Sequence, residues 1–243
     1  MTSAELREAV SAIRWYHRMD LPGGIVTPGV TDPGRALPRL HLPERLDGLS
    51  VLDIGAWDGF YSFECKRRGA ARVLATDHFV WTGRTWGSKE GFLLARDALR
   101  LEVEDRDIDV MDISPQTVGS FDLVLLLGLL YHLTDPIGAI RAAASVTNRR
   151  LVVETETSLN ALPFPAARLY PGRELNADDT NWWALNRAAL EGLLREAGFT
   201  RTEVVYRSSV RRRLARAGRE ALRGQGSFRM NARSARIVVH AFR

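Results

Sequence analysis

The chain has 243 residues, 45% of them hydrophobic and 26% charged, with a formal charge of +5. That supplies one sizeable core with room for substrate-covering elements. The single cysteine, Cys65, excludes a disulfide framework and a cysteine metal cluster. The basic balance permits nucleic-acid binding. However, lysine occurs only at Lys66 and Lys89, leaving 32 arginines, and GC-rich coding explains such a skew. The first ten residues lack a basic head followed by an apolar run, so no signal peptide is expected. The longest apolar run, 121–130, is interrupted by Asp122 and Gly128 and is too short to span a bilayer. A cytoplasmic protein with no membrane partner is the expectation.

In chain order, residues 4–18 read as a helix, with Leu6, Val10, Ile13 and Trp15 partly on one face. A Gly/Pro-rich loop follows at 21–29. Strand–helix alternation then begins. Strands are expected at 50–54 and 72–76, a weaker one at 107–111, then at 121–127 and 150–155. Helices are expected at 60–68, 89–99, 135–145 and 186–197, with Asn186 as N-cap and Gly198 as stop. Late strands at 203–208 and 235–242 suggest a hairpin at the sheet edge. This pattern predicts a Rossmann-like three-layer α/β sandwich. Its sheet would be mostly parallel and seven-stranded, with an antiparallel last strand and an N-terminal helical lid. One globular unit is expected, with a covering leader at 1–48 and a cofactor-binding domain at 49–243.

The strongest local signal is Val51-Leu52-Asp53-Ile54-Gly55-Ala56-Trp57-Asp58-Gly59, a strand running into a glycine-containing turn and then a helix. Glycine lets the backbone approach a ligand at the carboxyl end of a strand. Asp53 places a carboxylate on that rim, which suits a cationic sulfonium better than a diphosphate. Asp77 ends the next strand, where an acid can take both ribose hydroxyls. A dinucleotide-binding turn is the alternative. It would need glycines at positions occupied here by Gly55, Trp57 and Phe60.

The turn resembles the first motif of the class I S-adenosylmethionine-dependent methyltransferases. The resemblance continues at Asp109-Val110 and at Phe121-Asp122-Leu123-Val124, and it covers roughly 49–155. It implies S-adenosyl-L-methionine as cofactor, held by Asp53, Gly55, Ala56, Trp57, Gly59, Asp77, His78, Asp109, Val110 and Leu127. Asp109 and the Val110 amide would read the adenine. Trp57 departs from the pattern by replacing the middle glycine, either as a wall beside the methionine moiety or as packing.

A narrower resemblance lies in Gly128-Leu129-Leu130-Tyr131-His132, Trp15-Tyr16-His17, Thr27-Pro28-Gly29 and Asn181-Trp182-Trp183. It is similar to the branch holding the wobble-uridine carboxymethyl transferases and related bacterial small-molecule methyltransferases. In that branch the counterpart of Tyr131 helps recognise a carboxylate on the donor. Residues beyond the fourth strand are where such enzymes place nucleophile-facing groups, so His132 and Tyr131 are catalytic candidates, joined by His17 on a leader that could fold over the pocket as a lid. A histidine with a pKa near its ordinary value can accept a proton near neutrality. Tyr16, Trp182, Trp183 and Glu154 are the substrate-side candidates. The histidines show no ligand pair, so no metal is expected.

Ten arginines and one acid, Glu220, lie between 207 and 236. They form either a phosphate-binding patch or the solvated edge of a short helical insertion. The leading expectation is an O- or N-methyltransferase acting on a small organic acceptor in bacterial secondary metabolism, as a monomer or homodimer. A tRNA wobble-uridine-type enzyme and a non-catalytic cofactor-binding partner are the alternatives.

Overall fold

A computed structural model describes residues 1–83, 87–222 and 234–243. The chain divides into two compact units, Met1–Leu125 and Leu126–Arg243. The first opens with α1 (Ser3–Ala12), capped by Thr2, whose hydroxyl accepts the Glu5 amide while the Glu5 carboxylate accepts the Thr2 amide. The expected helix to residue 18 stops at Ala12, and Ile13 is extended. The reason is local competition. The Trp15 indole donates to the Val10 carbonyl at 2.9 Å, and the Asp58 carboxylate takes the amides of Tyr16 and His17 at 2.9 and 2.8 Å. A short hairpin follows, β1 (Asp20–Leu21) against β2 (Ile25–Val26).

The sheet of this unit begins with β3 (Ser50–Ile54), followed by α2 (Phe60–Arg67), β4 (Arg72–Asp77), α3 (Glu90–Leu99), β5 (Glu104–Asp107) and β6 (Phe121–Leu127). β4 is parallel to both β3 and β5, and the strand order is β6-β3-β4-β5. The chain runs from strand to strand through helices because parallel neighbours need a crossover. Val51, Leu52, Ile54, Val73, Leu74 and Ala75 are buried, together with Phe63 of α2 and Phe92 of α3. Each such aromatic contributes on the order of 2–3 kcal/mol by leaving water. The third strand lies earlier than the expected 107–111. Asp109 instead accepts the Met111 amide at 2.9 Å and caps a tight helical turn at Val110–Asp112.

The second unit carries α4 (Pro136–Ser145), β7 (Thr147–Thr157), β8 (Ala167–Leu169), β9 (Trp183–Leu185), α5 (Arg187–Glu196), β10 (Arg201–Arg207), α6 (Val210–Leu222) and β11 (Ala235–Phe242). Its order is β10-β11-β7, with β11 antiparallel to both β10 and β7. The fold is therefore the Rossmann-like sandwich expected, with the antiparallel strand last in sequence. Asn186 caps α5 by accepting the Ala189 amide at 2.8 Å. β8 and β9 were not expected, because three-residue strands carry too little alternation to read.

The last two strands pair antiparallel at the sheet edge, as expected of a hairpin there, but their connection is not a simple loop. α6 occupies part of that connection, and Ala217 on it is buried. The stretch 223–233 of the arginine-rich segment lies outside the described residues.

Gly59 closes the turn before α2 at φ +85°, and a Cβ there would meet Phe92 Cδ2 at 2.6 Å and Phe63 at 2.8 Å. Gly59→Ala is expected to destabilise the protein by about 1–3 kcal/mol through overpacking, with left-handed strain adding about 1 kcal/mol. Denaturant unfolding measures this, and an unchanged midpoint would contradict the packing account.

Candidate active site

The turn after β3 is bent by three left-handed residues, Gly55 (φ 80°), Trp57 (φ 52°) and Gly59 (φ 85°). That bend turns its amides inward. The amides of Gly55 and Ala56 both donate to the Thr76 carbonyl, at 2.8 and 3.0 Å. Trp57 donates to Asp77 Oδ2 at 3.0 Å, and Gly59 donates to the Ala56 carbonyl at 2.8 Å. A turn that cradles a diphosphate must present such N–H groups to the ligand. Here they are already committed.

The charged side chains point to the same conclusion. Asp53 is 2% exposed, and Ser62 Oγ donates to its Oδ2 at 2.6 Å. Burial raises its pKa to about 6 against the opposing pull of Ser62 and His17. Asp77 is also buried, and burial raises its pKa although the Trp57, Val80 and His78 amides stabilise its carboxylate. His78 Nδ1 and Asp107 Oδ1 pair at 2.7 Å, and the Val110 side chain is buried. Buried acids around a turn with committed amides fit an adenosyl sulfonium, a cation with ribose hydroxyls, and not a diphosphate.

Trp57 is held at its positive φ from several directions. Asp77 takes its amide, Trp81 Nε1 donates to its carbonyl at 2.7 Å, and the Tyr16 ring stacks on it at 4.3 Å. The leader is locked more firmly by Asp58. Besides the two backbone amides, Asp58 Oδ1 pairs with His17 Nδ1, and both residues are buried. His17 was expected to serve catalysis directly. In the structure its Nδ1 pairs with Asp58, on the segment whose backbone amides Asp58 also holds. Asp58 was not singled out as a site residue, although it lies inside the motif.

In the second unit, a tight turn at Leu130–His132 follows β6, whose final residue, Leu127, is half-buried. His132 Nδ1 lies 2.9 Å from Thr180 Oγ1 and 3.3 Å from the Thr180 carbonyl. Burial lowers the His132 pKa, Arg236 adds to that, and Asp178 and Thr180 oppose it. The Trp182 amide donates to the Tyr131 carbonyl at 2.7 Å, which ties the 170–182 loop to this turn. Trp182 and Trp183 are half-buried, and the Trp183 indole donates to the Thr134 carbonyl at 3.2 Å.

Glu154 is bound by Arg236, whose Nη1 sits 2.8 and 2.9 Å from the two carboxylate oxygens. Arg236 also reaches Glu156 at 3.2 Å and the Tyr131 hydroxyl at 2.9 Å, and Ser234 Oγ donates to Glu156 at 2.6 Å. Burial works against the Arg236 charge, but Glu154, Tyr131 and Glu156 outweigh it and hold its pKa well above the ordinary value. Arg236, Glu156, Asp178 and Thr180 were missed from sequence. Strand pairing carried a signal for one of them, because Arg236 lies directly across the ladder from Glu156.

The profile of a family described as a methyltransferase domain matches residues 31–204. The chain belongs to that family, the class I S-adenosylmethionine-dependent methyltransferases. Among curated relatives, it is 30% identical over 161 residues to the tRNA U34 carboxymethyltransferase of Pseudomonas aeruginosa strain LESB58, covering 64% of this chain and 46% of the relative. It is 26% identical to the protein of the same name from Desulfotalea psychrophila, covering 65% and 47%. The match thus spans about half the length of these relatives.

Among solved structures, the N-terminal domain of EvdMO1 with S-adenosylhomocysteine and D-fucose superposes with a TM-score of 0.66 at 20% identity, covering 100% of this chain and 97% of that one. The [4+2]-cyclase SpnF superposes at 0.56 with 17% identity, covering 99% and 92%. Both show the shared fold. Among the described residues, no helix is long and apolar enough to cross a membrane.

Asp58→Ala would strand two leader amides and the His17 ring. It is expected to cost about 1–3 kcal/mol of stability and to speed limited proteolysis within 13–31. A parent-like unfolding midpoint together with parent-like cleavage would refute the anchor.

Proposed function

We propose that this chain is an S-adenosylmethionine-dependent O- or N-methyltransferase acting on a small organic acceptor, in the cytoplasm and in bacterial secondary metabolism. The observation that carries the reading is the turn after β3, with its amides spent on Thr76 and Asp77 and its rim acids buried. Asp53 would balance the cationic end of the cofactor and Asp77 would take its ribose hydroxyls. His78, Asp109 and Val110 would frame the adenine, and Gly55, Ala56, Trp57 and Gly59 would shape the remaining wall. S-adenosylmethionine supplies an electrophilic methyl group bonded to sulfur.

The protein's share of the work is alignment, exclusion of water and removal of one proton. His132 takes that proton from the acceptor as the methyl group moves. Tyr131, Glu154, Trp182 and Trp183 orient the acceptor. Ordinary S-adenosylmethionine, rather than a carboxylated form, is the donor in this reading. Its support is that Arg236, the cation on Tyr131, is already balanced by Glu154 and Glu156. A tRNA acceptor is the second reading, favoured by Arg211 and Arg212 standing exposed on α6. RNA retention at low salt would move the assignment to it.

His132→Ala is expected to slow single-turnover methyl transfer by about 100-fold or more while leaving cofactor affinity within about threefold. Quench-flow and calorimetry check both, and a parent-like transfer rate would reject the base.

A further inference from the structure

We infer that Thr180 and Asp178 are positioning residues that fix His132 as the Nδ1–H tautomer, leaving Nε2 as its basic nitrogen. The inference rests on the reading of His132 as the base and names the residues that set its orientation.

The bond directions follow from what each atom can do. The Thr180 hydroxyl donates to Asp178 Oδ1 at 2.7 Å, and an ionised carboxylate can only accept. Its single proton is therefore spent, and Thr180 Oγ1 faces His132 Nδ1 at 2.9 Å as an acceptor. The Thr180 carbonyl, 3.3 Å from the same nitrogen, can also only accept. Two acceptors around Nδ1 place the proton there in the neutral ring. An Nε2–H tautomer would set the Nδ1 lone pair against both oxygens.

The loop carrying these groups is built to stay in place. The Thr180 amide also donates to Asp178 Oδ1, at 2.9 Å. Asn181 is buried, and its Nδ2 donates to the Leu175 carbonyl at 2.8 Å. Leu175 packs in a buried cluster with Tyr170 and Ala184. Ala177 sits at φ 56°, a left-handed conformation uncommon for alanine, and Arg173 holds its carbonyl through Nε and Nη2 at 3.1 and 2.9 Å. The Trp182 amide on Tyr131 joins this frame to the turn that bears His132.

The groups acting on the imidazole are Asp178 and Thr180 from the loop, Arg236 from β11 with its partners Glu154 and Glu156, and Tyr131 from the same turn, its ring 4.4 Å away. Asp178 is the one that favours the imidazolium by charge, and Arg236 disfavours it.

The test is long-range proton–nitrogen NMR of the full chain with labelled histidine, alongside pH–rate profiles. The parent should show His132 as the Nδ1–H tautomer when neutral, without any need for turnover. Thr180→Ser should keep that tautomer and the rate. Thr180→Val should lower the single-turnover rate about 10-fold, with cofactor affinity unchanged. Asp178→Asn keeps an accepting oxygen but loses the charge, so the His132 titration and the acid limb of the rate profile should both move to lower pH.

An Nε2–H tautomer in the parent, or an Asp178→Asn titration that does not move, would overturn the inference. Failure of the base role reads differently, since His132→Ala would then keep the parent rate whatever the tautomer.

Discussion

The end of β4 governs the first unit. Thr76 and Asp77 together accept three consecutive amides from the turn after β3. A backbone that folds back this tightly needs left-handed residues, and Gly55, Trp57 and Gly59 provide them. Two consequences follow from the same bend. The amides are turned away from any ligand, which rules out the usual means of holding a diphosphate. The Asp58 side chain is brought to the leader, where it ends α1 early and buries His17.

Charge compensation organises the second unit in the same spirit. Arg236 is flanked by Glu154 and Glu156 and touches Tyr131, so the basic group beside that phenol is internally satisfied. A half-buried ion pair with each partner hydrogen-bonded is tolerated where a lone charge is not. His132 is handled separately, by the loop that carries Asp178 and Thr180. One turn thus sets Tyr131 against a charged cluster and the adjacent His132 against this loop, with burial lowering the pKa of its imidazole.

Much of this frame was legible in the sequence. The strands Ser50–Ile54, Phe121–Leu127 and Ala235–Phe242 fall where apolar runs end at turn residues, and Asn186 caps its helix as its side-chain chemistry dictates. What escaped depends on contacts between residues far apart in the chain. Trp15 and Asp58 override an amphipathic pattern that would have run on to residue 18. The pairing of Thr180 with His132 spans 48 residues, and that of Arg236 with Tyr131 spans 105. No local period encodes either. The helix Val210–Leu222 falls where a short helical insertion was one of two readings, whereas its burial of Ala217 was masked by the surrounding arginines.

The central claim is that buried acids at a closed turn receive an adenosyl sulfonium. Asp53, raised to about 6 by burial, makes that claim measurable. A bound cation favours the ionised carboxylate, so S-adenosylmethionine binding near pH 6 should release a proton and weaken as pH falls below about 6. Calorimetry in buffers of different ionisation enthalpy reads that release, and Asp53→Asn should abolish it. Affinity independent of pH across this window, or preferential binding of a nicotinamide dinucleotide, would contradict the account.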